Sequence, residues 1–174
     1  MITIPLDQNI IYYCRGLLKN NNFGQRGIAD GNQSEQLRGI VGQCMVMDLL
    51  GLALMEADGF DKGIDFTFNG KTYDVKTMGR TVDPEDYYVN NLIRHQINYK
   101  VDRYIFCSLN KIKMNLTICG WIDKDKFAEK ANFYPLGMER TRSDGTSFKT
   151  KADLYEIPNN LLNQINSIND LITL

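Results

Sequence analysis

The dipeptide Asn69-Gly70 lies between two runs that alternate apolar and polar residues, in the stretch GIDFTFNGKTYDVKTM from Gly63 to Met78. Asn-Gly is the strongest short-range hairpin signal, because both central residues of a type I′ turn need positive φ. Such a turn fixes the register. Phe68 then faces Lys71, Phe66 faces Tyr73, and Asp65 faces Asp74. Ile64, Phe66, Tyr73 and Val75 fall on one face, which reads as the core face. Asp65, Thr67, Thr72, Asp74 and Lys76 fall on the other. The two aspartates meet at a non-hydrogen-bonded pair, with Cβ atoms about 5 Å apart. Like charges directly opposite each other are destabilising, and a cation relieves that. Mg²⁺ suits one or two carboxylates plus waters; bound there, it can activate a water and polarise a phosphoryl oxygen. Lys76 would set a fixed positive charge beside it. A solvated polar face, with Lys76 neutralising one aspartate, fits the same pairing.

Upstream, Ile10, Ile11, Tyr13, Cys14, Leu17 and Leu18 repeat at helical spacing and predict a helix over 8–19. The Asn- and Gly-rich stretch from Lys19 to Ser34 reads as a loop. Ser34 is positioned to cap a helix over 35–50, and Gly51 to end it. Leu37, Ile40, Val41, Cys44, Met45 and Leu49 form its apolar stripe. Gly39 and Gly42 inside it suggest close packing on a neighbour. Downstream, a loop around Pro84 leads to a helix over Asn91–Tyr99, strands over Arg103–Leu109 and Asn115–Ile122, and a helix over Asp123–Ala131. Tyr134–Thr150 reads as irregular, Asp153–Ile157 as a short strand and 159–171 as a last helix. That order makes a mixed α/β domain. The length of 174 residues suits a single domain with a core of its own.

Composition excludes several classes. Twenty basic residues against 21 acidic ones rule out a polybasic binder that acts by bulk charge. Cys14, Cys44, Cys107 and Cys119 form no C-x-x-C pair, and the chain has one histidine, so a structural zinc site is not expected. They sit in apolar runs and read as core residues of a reducing compartment, here the cytoplasm. No signal peptide opens the chain, and the longest apolar run, Met45–Met55, is interrupted by Asp48 and Gly51, so no membrane partner is expected.

Asp65, followed nine residues later by Asp74-Val75-Lys76, resembles the PD-(D/E)xK nuclease superfamily. Arg38-Gly39-Ile40-Val41-Gly42-Gln43 resembles the helix in which small phage and bacterial members carry Gly-Glu, and Gly120-Trp121-Ile122 before a helix at Lys124–Ala131 is similar to theirs too. The likeness spans about residues 33–157, with the helices 8–19 and 159–171 as additions. It implies a restriction-endonuclease-like α/β core: a central mixed sheet of four to five strands flanked by helices. It implies Mg²⁺- or Mn²⁺-dependent hydrolysis of DNA phosphodiesters. Asp65, Asp74 and the Val75 carbonyl would be the metal ligands, and Lys76 would orient the water or stabilise charge. Residue 43 is Gln where the family has Glu. Either Gln43 or Glu35 would supplement the site; eight residues apart, they lie about 80° apart around a helix. Gln96 and Tyr99 resemble a glutamine–tyrosine motif of some recombination nucleases, with one residue fewer between them.

Charge is segregated along the chain. Residues 48–65 hold Asp48, Glu56, Asp58, Asp61 and Asp65 against Lys62. Residues 91–113 hold Arg94, Lys100, Arg103, Lys111 and Lys113 against Asp102, and 140–151 hold Arg140, Arg142, Lys149 and Lys151 against Asp144. Such basic segments can grip phosphates on either side of an acidic centre. Arg80, Arg94, His95, Gln96, Lys100, Arg140 and Arg142 are the candidate DNA contacts. The expectation is an endodeoxyribonuclease of a bacterium or phage-infected cell, with a homodimer as one possible assembly. The alternative is a catalytically weakened nucleic-acid-binding protein on the same fold.

Overall fold

The computed structural model describes residues 1–23, 31–56, 63–141 and 145–174. Arg142, Asp58, Asp61, Lys62, Asp144 and the middle of the Lys19–Ser34 loop lie outside these residues. The elements in order are β1 (Ile2–Pro5), α1 (Gln8–Asn20), α2 (Gln33–Leu49), β2 (Phe66–Phe68) and β3 (Lys71–Arg80). Then come β4 (Val89–Ile93), a 3₁₀ turn (Arg94–Asn98), β5 (Arg103–Asn110), β6 (Asn115–Asp123) and α3 (Lys124–Lys130). The chain continues through β7 (Asn132–Tyr134), β8 (Glu139–Thr141), β9 (Ser147–Lys149), β10 (Leu154–Pro158), a second 3₁₀ turn (Asn159–Leu161) and α4 (Ile168–Ile172). The fold is mixed α/β.

Asn69 and Gly70 both take positive φ, +47° and +73°, and the turn pairs Phe68 with Lys71 and Phe66 with Tyr73. β3 continues beyond its short partner and pairs in parallel with β5. The central sheet has the order β1-β6-β5-β3-β2. A smaller sheet, β4-β10-β7, and the hairpin β8-β9 stand beside it.

Each face of the central sheet carries its own apolar cluster. Tyr73, Val75, Ile105 and Cys107 join α1 and α2 through Ile10, Cys14, Ile40, Val41 and Cys44. Tyr104, Phe106, Cys119 and Ile122 project the other way, onto Leu92, Phe127 and Ile157 from β4, α3 and β10. All four cysteines are free and buried. α2 is buried on every side from Ile40 to Met47, rather than along one stripe, because α1 covers the side away from the sheet. A Cβ on Gly42 would stand 1.9 Å from the Thr77 Oγ1, so only glycine lets α2 sit this close to β3. Gly39 has open space at the same position.

The structure corrects several sequence expectations. Asn32, not Ser34, caps α2, in a capping box with Glu35. The helix expected over Asn91–Tyr99 is strand β4 followed by the 3₁₀ turn. Tyr134–Thr150 holds short strands, β8 and β9 among them. The expected last helix shrinks to a 3₁₀ turn and the short α4. None of the described helices is long and apolar enough to cross a membrane.

Candidate metal-binding site at the start of strand β2

β2 begins at Phe66, and Asp65 sets how the chain enters it. The Asp65 amide donates to the Tyr73 carbonyl at 2.8 Å, so Tyr73 faces both Phe66 and Asp65. The Asp65 carboxylate then accepts the Val75 N–H at 2.7 Å, taking the place of the next backbone group of the ladder. That N–H belongs to the peptide joining Asp74 to Val75. The two carboxyl groups therefore flank one peptide unit, and the Val75 carbonyl points to the same strand edge as its N–H. The sequence expectation that Asp65 faces Asp74 is thus corrected: regular pairing ends at Phe66–Tyr73, and Asp65 bonds Tyr73 and the Val75 N–H instead.

Asp74 projects from the face opposite α2. Its residue is 1% exposed, so the face read from the sequence as polar is covered here. Parallel pairing sets Tyr104 beside Asp74, and Phe106 beside Lys76. The Lys76 Nζ lies 2.7 Å from the Asp74 Oδ1, and the lysine side chain is 16% exposed. A pair this deeply buried has lost most of its hydration, which its mutual attraction must offset. Burial, and after it the Asp74 charge, hold the Tyr104 phenol well above its ordinary range.

Of the two supplementary candidates, Glu35 is engaged at the start of α2. It accepts the Asn32 N–H at 2.8 Å and stands 3.9 Å from Arg38. Gln43 is buried, one residue after the glycine that presses on Thr77, and so belongs to the helix packed on the face of β3 opposite Asp74. Two carboxylates and a backbone carbonyl are hard oxygen donors of the kind that suits Mg²⁺ or Mn²⁺. Among the described residues no group of three or more His, Cys, Asp and Glu side chains gathers into a metal site.

The basic candidates divide. The Tyr99 ring packs on Gly63, where a Cβ would stand 2.1 Å from it; Gly63 precedes Asp65 by two residues. The 3₁₀ turn carrying His95 and Gln96 ends at Tyr99, so it is tied to the segment that leads into β2, with His95 edge-on to Tyr99 at 5.9 Å. Gln96 is buried, while Lys100 is exposed. Arg94 pairs with Asp153 at 3.2 Å and stands 5.4 Å from the Phe133 ring. Arg80 donates to the Val89 carbonyl at 2.7 Å and lies over the Tyr88 ring at 4.7 Å. Burial lowers the Arg80 pKa from its ordinary value. Arg140 is neutralised by buried Glu156 and stacks 3.7 Å from the Tyr134 ring. Tyr104 is the neighbour of the site that sequence reasoning missed. The signal would have been the parallel β3–β5 register, which no local pattern encodes.

Comparisons of the chain with protein-family models, with curated proteins and with solved structures return no match.

Proposed function

We propose that the chain is a metal-dependent endodeoxyribonuclease with a restriction-endonuclease-like core of the PD-(D/E)xK kind, working in a cytoplasm. The observation that supports this most is the convergence at the start of β2. The Asp65 carboxylate sits on the Val75 N–H at 2.7 Å, and Asp74 and Lys76 form an ion pair at 2.7 Å from the same stretch of β3. Both contacts involve the residues on either side of the Asp74–Val75 peptide. Asp65, Asp74 and the Val75 carbonyl would hold Mg²⁺ or Mn²⁺. A bound divalent cation supplies Lewis acidity and a water of lowered pKa.

The chain's own groups have distinct parts. Asp65 and Asp74 concentrate negative charge at one strand edge. Lys76 carries the positive charge that, once released from Asp74, can face an oxygen of the phosphodiester as charge develops on it. In the reaction, water oxygen bonds to phosphorus, the bridging P–O bond breaks, and the leaving oxygen takes up a proton. His95 and Lys100, on and after the 3₁₀ turn, would meet the DNA backbone. Arg140, already neutralised by Glu156, is a weaker candidate for that part. One observation favours a second reading, a nucleic-acid-binding protein with weakened catalysis: Gln43 adds no charge where the resembling family has a glutamate.

The test is cleavage of supercoiled plasmid and of a four-way junction, in Mg²⁺, in Mn²⁺ and in chelator. The expected result is metal-dependent nicking that Asp74→Ala and Lys76→Ala abolish. Binding of both DNAs without cleavage in either metal would overturn the nuclease reading in favour of the second.

A further inference from the structure

We infer that Tyr104 is a positioning residue for Asp74: its buried hydroxyl holds the carboxylate when a divalent cation takes the place of the Lys76 ammonium. The inference rests on the reading of Asp74 as a cation ligand and adds a group that the acid–acid–lysine pattern does not contain.

Tyr104 pairs directly with Asp74 across the parallel β3–β5 ladder. Paired residues of neighbouring strands project from the same face, and on that face Tyr104 is 0% exposed. Its ring is fixed by Phe106 and Phe127, at 6.2 and 5.3 Å between centroids. The hydroxyl at the end of this rigid ring has no hydrogen-bond partner among the described residues. Buried side-chain hydroxyls are nearly always bonded, so one that is not calls for an explanation. The Asp74 charge is close enough to raise the phenol's pKa, on top of the effect of burial.

In the present arrangement Asp74 is committed to Lys76 at 2.7 Å. A cation approaching from the Asp65 side competes with that ammonium for the same carboxylate. When Lys76 leaves, Asp74 loses that donor, and at 1% exposure little solvent reaches it as a replacement. A phenol O–H fixed beside it can. Ligating carboxylates are generally held by such outer hydrogen bonds, and losing one weakens metal affinity by about 10–100-fold.

The experiment compares the full chain with its Tyr104→Phe variant, which lacks only the hydroxyl oxygen. Mn²⁺ binding is followed by electron paramagnetic resonance of the free ion, without DNA, and thermal unfolding is measured without metal. The expected outcome has two parts. The variant binds Mn²⁺ about tenfold or more weakly. Its metal-free melting temperature is unchanged or higher, because a bare polar atom has been removed from the interior. Equal Mn²⁺ affinity in the two proteins would overturn the inference and leave the proposed function standing. A lower metal-free melting temperature, or a variant that fails to fold, would overturn it too, by showing that the hydroxyl is already bonded. If the unaltered chain binds no Mn²⁺, the cation reading itself falls, and this inference with it.

Discussion

The two faces of β3 are built on different principles. Toward α1 and α2 the strand presents Tyr73, Val75 and Thr77 to an apolar cluster, and a glycine of α2 lies against Thr77. Toward β4 and β10 it presents Asp74 and Lys76, equally covered but charged, with Tyr104 beside them. The first face gains by close packing and loses by any added volume. The second sets desolvation of two charges against their mutual attraction, a balance that well-packed apolar side chains commonly improve upon. β3 thus carries an apolar face and a buried charged face within a few residues.

The contrast can be broken by substitution. The largest effect is expected on the charged face. Asp74→Ala leaves the Lys76 ammonium mostly buried with its counter-ion gone, a loss of about 3–5 kcal/mol by analogy with other broken buried pairs. Urea denaturation would measure it. The double variant Asp74→Leu/Lys76→Met should recover most of that stability while remaining inactive. A double variant no more stable than Asp74→Ala would mean that the pair is structurally optimal, and the contrast between the faces would fail.

On the packing face, Gly42→Ala forces α2 away from Thr77 and should cost about 1–3 kcal/mol, as overpacked interiors do. Gly39→Ala, with nothing near its Cβ, should be neutral or stabilising through helix propensity. Equal unfolding midpoints for the two variants would show that the close approach is not needed.

Gln43 lies between these regimes. Replacing it with Glu adds an anionic oxygen on α2, and Mn²⁺ affinity should rise about tenfold if Gln43 reaches the cation. Calorimetric titration decides it, since a buried carboxylate far from any cation would instead lower stability and leave affinity unchanged.

The smallest effect is at the rim of β3. Asp102 accepts from the Thr72 N–H at 2.9 Å and its hydroxyl at 3.0 Å, and these bonds hold its carboxyl below the usual range. A depressed native pKa contributes stability above the unfolded value and loses it as pH falls through the native one. The melting-temperature advantage over Asp102→Asn should therefore shrink on acidification below about pH 4. An advantage that grows on acidification would contradict the hydrogen-bond assignment.

How much of the fold is legible in the sequence depends on whether the deciding contact is local. The hairpin is legible because two residues set its turn, and strands β5 and β6 because their apolar runs are nearly continuous. β4 reads as a helix because its inward positions are Asn90 and Leu92, so a buried asparagine hides the alternation. Asn90 is bonded to Asn159 at 2.7 Å, a partner 69 residues away. The C-terminal segment misleads for a similar reason. Leu162 and Ile165 are spaced as on a helix, yet their chain runs extended, and Asn163 bonds the Trp121 backbone in both directions. β1 escapes a sequence reading because its pairing with β6 joins distant parts of the chain. At the site, the acid–acid–lysine grouping is visible in the spacing. The Asp65–Val75 bond and the Tyr104 neighbour are not, since both depend on where β2 starts and on which strand pairs with β3.

The most direct test of the central claim is plasmid nicking by Asp65→Asn in saturating Mg²⁺, measured alongside its melting temperature. Asparagine keeps an oxygen for the Val75 N–H and removes only the charge. The expected result is an unchanged melting temperature and nicking reduced by about 100-fold or more. Nicking at the rate of the unaltered chain would show that Asp65 only anchors the strand, and would contradict the assignment of this strand end as a metal-dependent hydrolytic site.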